Sequence, residues 1–98
     1  MFKNNKTIEF IELPSTLNSI GANAFNGCTN LQKIEIPDSC VAIGMNAFKS
    51  CINVLSVTLG SGLNQIGKDA FTDLLYCEQI TVKTDKIRTE ASVTGIDY

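Results

Sequence analysis

The same words return in this chain every 23 residues. Ile20-Gly21 with Ala24-Phe25 recurs as Ile43-Gly44 with Ala47-Phe48, and again as Ile66-Gly67 with Ala70-Phe71. Self-similarity at a fixed period of this length is the signature of a solenoid, in which copies of one unit stack and bury a shared core. Numbered from its strand, each copy offers three apolar positions: Ile8, Ile11 and Leu13; Leu31, Ile34 and Ile36; Val54, Val57 and Leu59; Cys77, Ile80 and Val82. The last two of each set alternate as along a strand with one face inward. Four such strands are predicted to form one parallel sheet, with equivalent side chains in ladders one strand spacing apart. Ile20, Ile43 and Ile66 make one ladder, and Phe2, Phe25, Phe48 and Phe71 another, beside the small Ala24, Ala47 and Ala70.

Punctuation follows the same period. Gly21, Gly44 and Gly67 mark either positive φ or a close backbone approach, where an added β-carbon is costly. Phe25 with Cys28, and Phe48 with Cys51, have the three-residue spacing of one short helical turn packed inward, and Asn30 and Asn53 fit a left-handed residue ending it. Pro14 and Pro37 close the first two strands, where a missing N–H is tolerated, and Gly60 replaces them in the third. The period fades after Val82. Ile87, Val93, Ile96 and Tyr98 lie among polar residues in a tail, 83–98, that either caps the array or frays.

The chain thus reads as a single domain over 1–98, with a partial copy at 1–13, 23-residue copies to about 82 and a degenerate tail. Its 98 residues bury only roughly 60 to 65 per cent of the unfolded surface, so stability rests on copy-to-copy stacking. Because Phe2 already falls one period before Phe25, the chain is expected to be a segment of a longer protein. The start, Met1 to Lys6, has no apolar signal core, so either the protein is intracellular or a signal lies outside this chain; the position of Phe2 favours the second. A net charge of −2 with eight scattered basic residues gives no stripe to follow a phosphate backbone, which argues against nucleic acid. The longest largely apolar run, Ile52 to Leu59, is far short of the roughly 20 residues of a membrane span.

The spelling Ile-Gly-x-x-Ala-Phe-x-x-Cys-x-x-Leu-x-x-Ile-x-Ile-Pro from Ile20 to Pro37, repeated over residues 2–82, resembles the BspA-like class of leucine-rich repeats. The resemblance implies a right-handed coil with a short-stranded parallel sheet and short helical turns or irregular segments opposite. It also implies adhesion or recognition of other proteins at a cell surface or after secretion, and it carries no shared catalytic site. Thr16, Ser39, Gly62 and Asp85 stand where many leucine-rich repeats place Asn, so the buried Asn ladder of those proteins is absent. Leu74 replaces Cys28 and Cys51 in the third copy, and Cys77 replaces Leu31, so the packing there is expected to differ.

No cofactor or metal is expected. The four cysteines occupy core positions and are separated by 12, 11 and 26 residues with no histidine in the chain, unlike the clustered pairs that hold zinc. A free buried cysteine behaves as a small hydrophobe, although stacked Cys28 and Cys51 fall within bridging reach. Without histidine the usual base for a nucleophile is missing. Asp69 with Asp73 reads as a solvated edge, and Gly60-Ser61-Gly62 as a turn lacking the lysine and helix of a phosphate loop. Asn5-Lys6-Thr7 matches the glycosylation sequon, a short pattern with many chance occurrences. The informative surface is the outer side of the sheet. Alternation sends Phe10, Glu12, Lys33, Glu35, Ser56, Thr58, Gln79 and Thr81 outward. Phe10 is the aromatic anchor for a protein or host-surface ligand, with Glu12, Lys33 and Glu35 around it; the alternative is a solvated face with Phe10 covered by N-terminal residues. Unpaired strands at the open ends also predict end-to-end or swapped self-association. A purely structural spacer is the competing role.

Overall fold

A computed structural model describes residues 2–83, which contain six short strands: β1 (Ser19–Ile20), β2 (Lys33–Glu35), β3 (Ala42–Ile43), β4 (Ser56–Leu59), β5 (Gln65–Ile66) and β6 (Gln79–Val82). They form two parallel sheets, β1-β3-β5 and β2-β4-β6. In both, the register joins each residue to the one 23 positions on: Ile20 to Ile43 to Ile66, and Lys33 to Ser56 to Gln79. The period in the sequence is therefore the step from strand to strand.

The sheet expected from Leu-x-x-Leu-x-Leu is β2-β4-β6. Its Ile34, Val57 and Ile80 point inward from one register row, and β-branched side chains suit that pleated, buried position. Two things differ from the expectation. Residues 8–13 form no strand, and a second sheet arises from the two-residue segments that end in the repeated isoleucine. A single main-chain bond, from Gln32 N–H to the Glu9 carbonyl at 2.9 Å, ties residues 8–13 to the residue before β2, too little to make a ladder.

The Ala-Phe segment is not a helical turn, and no helix occurs among the described residues. Asn23, Asn46 and Asp69 take φ near +60°, as do Ser50 and Asp73, while Gly27 takes φ +81°. A left-handed residue stops helix propagation, and Asn and Asp adopt that region more readily than most residues. The backbone instead makes successive tight turns. Their alternate N–H groups reach the next copy: Phe25 to the Ala47 carbonyl at 2.7 Å, Gly27 to Lys49 at 2.8 Å, Phe48 to Ala70 at 2.8 Å, and Ser50 to Thr72 at 2.8 Å. Asn30 and Asn53 are not the left-handed residues. Their side-chain amides donate to carbonyls of the preceding copy, Asn30 to Lys6 at 2.6 Å and Asn53 to Thr29 at 2.8 Å.

These three sides enclose one core. The rings of Phe2, Phe25, Phe48 and Phe71 stack in a row at centroid distances of 5.4, 5.1 and 5.4 Å, with interplanar angles of 13° or less. Offset stacking of this kind adds about 0.5–1.5 kcal/mol per pair to the burial of the rings. Ala24, Ala47 and Ala70 are buried beside them, where a larger side chain would displace a ring. Gly44 and Gly67 are explained by close approach: a β-carbon on Gly44 would lie 2.5 Å from the Ala22 nitrogen, and one on Gly67 would strike the Met45 nitrogen. The proposed cap residues Ile87, Val93, Ile96 and Tyr98 lie outside the described residues.

Candidate functional site

The outer face of β2-β4-β6 carries the side chains that alternation sends away from the core. Register sets them in two rows, Lys33-Ser56-Gln79 and Glu35-Thr58-Thr81. Lys33, Glu35, Gln79 and Thr81 are exposed, and Ser56 and Thr58 are partly covered. Phe10 and Glu12 lie beyond the β2 end of these rows, and Phe10 is 66 % exposed, so N-terminal residues do not cover it.

Phe10, Ile11, Glu12, Leu13, Lys33 and Glu35 line one depression of about 710 Å³. It opens where residues 10–13 run beside β2 without joining it. In a parallel ladder alternate residues bond to opposite neighbours. Ile34 lies in the ladder with β4, and no main-chain bond joins Lys33 or Glu35 to residues 10–13. Across the rim the Lys33 ammonium pairs with Glu35 at 3.4 Å. Both groups are more than half exposed, so the pair contributes at most about 1 kcal/mol. Glu12 has no ion-pair partner among the described residues. The depression therefore combines one apolar anchor, one internally paired cation and an unpaired carboxylate.

Four of the eight outward residues, Phe10, Glu12, Lys33 and Glu35, thus meet in one place. Ser56, Thr58, Gln79 and Thr81 extend the face away from it along β4 and β6. Sequence reasoning missed a second hollow of about 390 Å³ between Glu9, Asn30, Gln32, Asn53 and Leu55. Its signal was the exposed Leu55, which sits at the position of Gln32 and Glu78. Exposed Leu75 and Tyr76 were missed as well, because the third copy departs from the repeat there.

The remaining candidates have structural partners. Cys28, Cys40, Cys51 and Cys77 are free thiols. Cys28 and Cys51 donate to the carbonyls of Phe2 and Phe25 at 3.1 and 3.2 Å, and Leu74 supplies no such donor in the third copy. Burial pushes the Cys51 thiol up to about 12, reinforced by the neighbouring Cys28 and opposed by a hydrogen bond, so it is not poised as a nucleophile. Asp69 and Asp73 accept from the Thr72 and Ser50 hydroxyls, each at 3.2 Å. In the turn at Gly60-Ser61-Gly62 the Ser61 N–H donates to the Asp38 carboxylate at 2.8 Å, which holds that carboxyl below its ordinary value. Asn5 Oδ1 accepts from the Thr7 hydroxyl at 2.8 Å and from the N–H groups of Thr7 and Ile8. Among the described residues no three His, Cys, Asp or Glu side chains gather as a metal site, and no helix is long and apolar enough to cross a membrane.

No curated protein matches the chain, and no solved structure does. A family model does, the BspA type leucine rich repeat region, in six copies that span residues 1–93. That span takes in the repeated words, both sheets and the ring row, and with it the chain belongs to the BspA-type leucine-rich repeat family.

Proposed function

We propose that this chain is a solenoid segment acting as a non-enzymatic binding module of a cell-surface or secreted protein, and that the outer face of β2-β4-β6 holds a protein or host-surface ligand. The depression that brings exposed Phe10 against Glu12, Lys33 and Glu35 carries the reading. An exposed aromatic ring beside a few polar groups is the composition of an interface anchor, and the strands β2, β4 and β6 extend the face beside it through Lys33, Ser56 and Gln79. The family supports the coarser part, since repeats of this kind serve as surface or protein-interaction modules. No cofactor takes part.

Binding of the labelled domain to intact host-cell surfaces, titrated by flow cytometry, tests this. Phe10→Ala combined with Lys33→Ala is expected to weaken binding about tenfold or more while the circular dichroism spectrum is unchanged. Unchanged binding by the folded double variant overturns the assignment of the face. A second reading, an array that spaces or assembles without a ligand of its own, is favoured by one observation: an apolar recess at the N-terminal end of the stack.

A further inference from the structure

The hollow between Glu9, Asn30, Gln32, Asn53 and Leu55, about 390 Å³, differs in kind from the depression at Phe10. Along it the main chain is already used. Gln32 N–H donates to the Glu9 carbonyl at 2.9 Å, Leu55 N–H to the Gln32 carbonyl at 2.8 Å, and Glu78 N–H to the Leu55 carbonyl at 2.8 Å. With both main-chain groups of Gln32 and Leu55 taken, a ligand has no strand edge to pair with there. What the hollow offers is side chains.

Those side chains are held in place. The Asn30 and Asn53 amides each give one N–H to a carbonyl of the preceding copy, Lys6 at 2.6 Å and Thr29 at 2.8 Å. That bond orients the amide, and its Oδ1 and second N–H have no protein partner among the described residues. A carboxamide presents an acceptor and a donor side by side, the complement of a hydroxyl group, which does both. Successive copies step by one strand spacing, about 4.7–4.9 Å. The amides therefore recur at about the length of one sugar ring in a linear glycan.

Two apolar surfaces flank the amides. Leu55 is 47 % exposed, and Tyr76, 60 % exposed, stands one period beyond Asn53, at the position that Asn30 and Asn53 hold in their copies. An exposed phenol ring gives the C–H face of a pyranose a flat apolar surface with a polar tip. No lysine or arginine lines the hollow, and Glu9 brings its one charge.

We infer that this hollow is a binding site for a neutral oligosaccharide, laid across the copies with one sugar ring per repeat. Asn30, Gln32 and Asn53 hold its hydroxyls, and a ring at one end lies on Tyr76. The Glu9 carboxylate accepts from a hydroxyl and disfavours sulfated or carboxylated sugars, whose charge no cation of the hollow would offset. The site shares no lining residue with the depression at Phe10 and does not depend on the ligand assigned there.

Nuclear magnetic resonance of the isotope-labelled 98-residue chain, titrated with cellohexaose, laminarihexaose, mannohexaose and chitohexaose, reads the outcome. At least one of the four is expected to shift the main-chain signals of Gln32 and Leu55 and the side-chain amide signals of Asn30 and Asn53, with a dissociation constant on the order of 1 mM or below. Tyr76→Ala is expected to weaken binding about tenfold and Gln32→Ala several-fold, with the signals of the core residues unchanged in both. A heparin hexasaccharide is expected to leave the hollow's signals where they are. No shift with any of the four neutral sugars, an affinity indifferent to both substitutions, tighter binding of the heparin fragment, or shifts that vanish on Phe10→Ala would each overturn the proposal.

Discussion

At Gly44 a single added methyl group decides between two outcomes, because the atoms it would meet are main chain. Gly44→Ala is expected to destabilise the fold by about 1–3 kcal/mol, the range for forced overpacking, whereas Gly21→Ala is expected to be neutral or slightly stabilising. Urea unfolding of the two variants side by side checks this. Cys51 gives a pH dependence. Its folded value, about 12, lies above its ordinary value of 9.0, so the stabilising contribution is complete below pH 9 and is lost as pH rises towards 12. Cys51→Ala is expected to show a shallower loss of stability over that window than the unaltered chain. The sequence placed all four cysteines in the core from their ladder positions, and Cys77 alone is only partly covered. What it did not disclose is which reason each glycine serves, since identical residues at 21, 44 and 67 face different surroundings.

The ladders behave as elements because each is bonded copy to copy. Asn53→Ala removes the amide bond to the Thr29 carbonyl at an exposed site and is expected to cost about 1 kcal/mol, read by urea unfolding; a null effect would mean water replaces the amide without loss. The turn at Ser61 is braced by Asp38, whose carboxyl is held below 3.8; that support is present above the ordinary value and lost as pH falls below it. Strand β4 and its neighbours were legible because Ile34, Val57 and Ile80 alternate with polar residues. Strands β1, β3 and β5 were not, since two residues are too few to show alternation. The helical turn expected near Phe25 rested on a three-residue spacing that a series of tight turns shares. Asn23, Asn46 and Asp69, recurring at the same period and tolerant of positive φ, were the contrary signal. Phe10 could be placed on the outer face by alternation alone, but the hollow beside it could not be foreseen, because it depends on residues 10–13 failing to pair with β2.

For the whole molecule, stability is shared between neighbouring copies, so position along the stack matters more than residue type. Phe48→Ala, in the middle of the ring row and fully buried, is expected to cost about 3–5 kcal/mol, while Phe2→Ala, at a ring 38 % exposed, costs well under half of that; calorimetry of both variants ranks them. Equal losses would mean the rings are not stacked in chain order. The ligand face, the hollow beside Asn53 and the core all rest on one geometry, in which each residue lies beside the residue 23 positions away. Nuclear Overhauser contacts in a methyl- and ring-labelled sample test it most directly. Contacts are predicted between Ile34 and Val57, Val57 and Ile80, and the rings of Phe25 and Phe48, with none between Ile34 and Ile80. A contact between Ile34 and Ile80, or the absence of the three contacts at an offset of 23, would contradict the account.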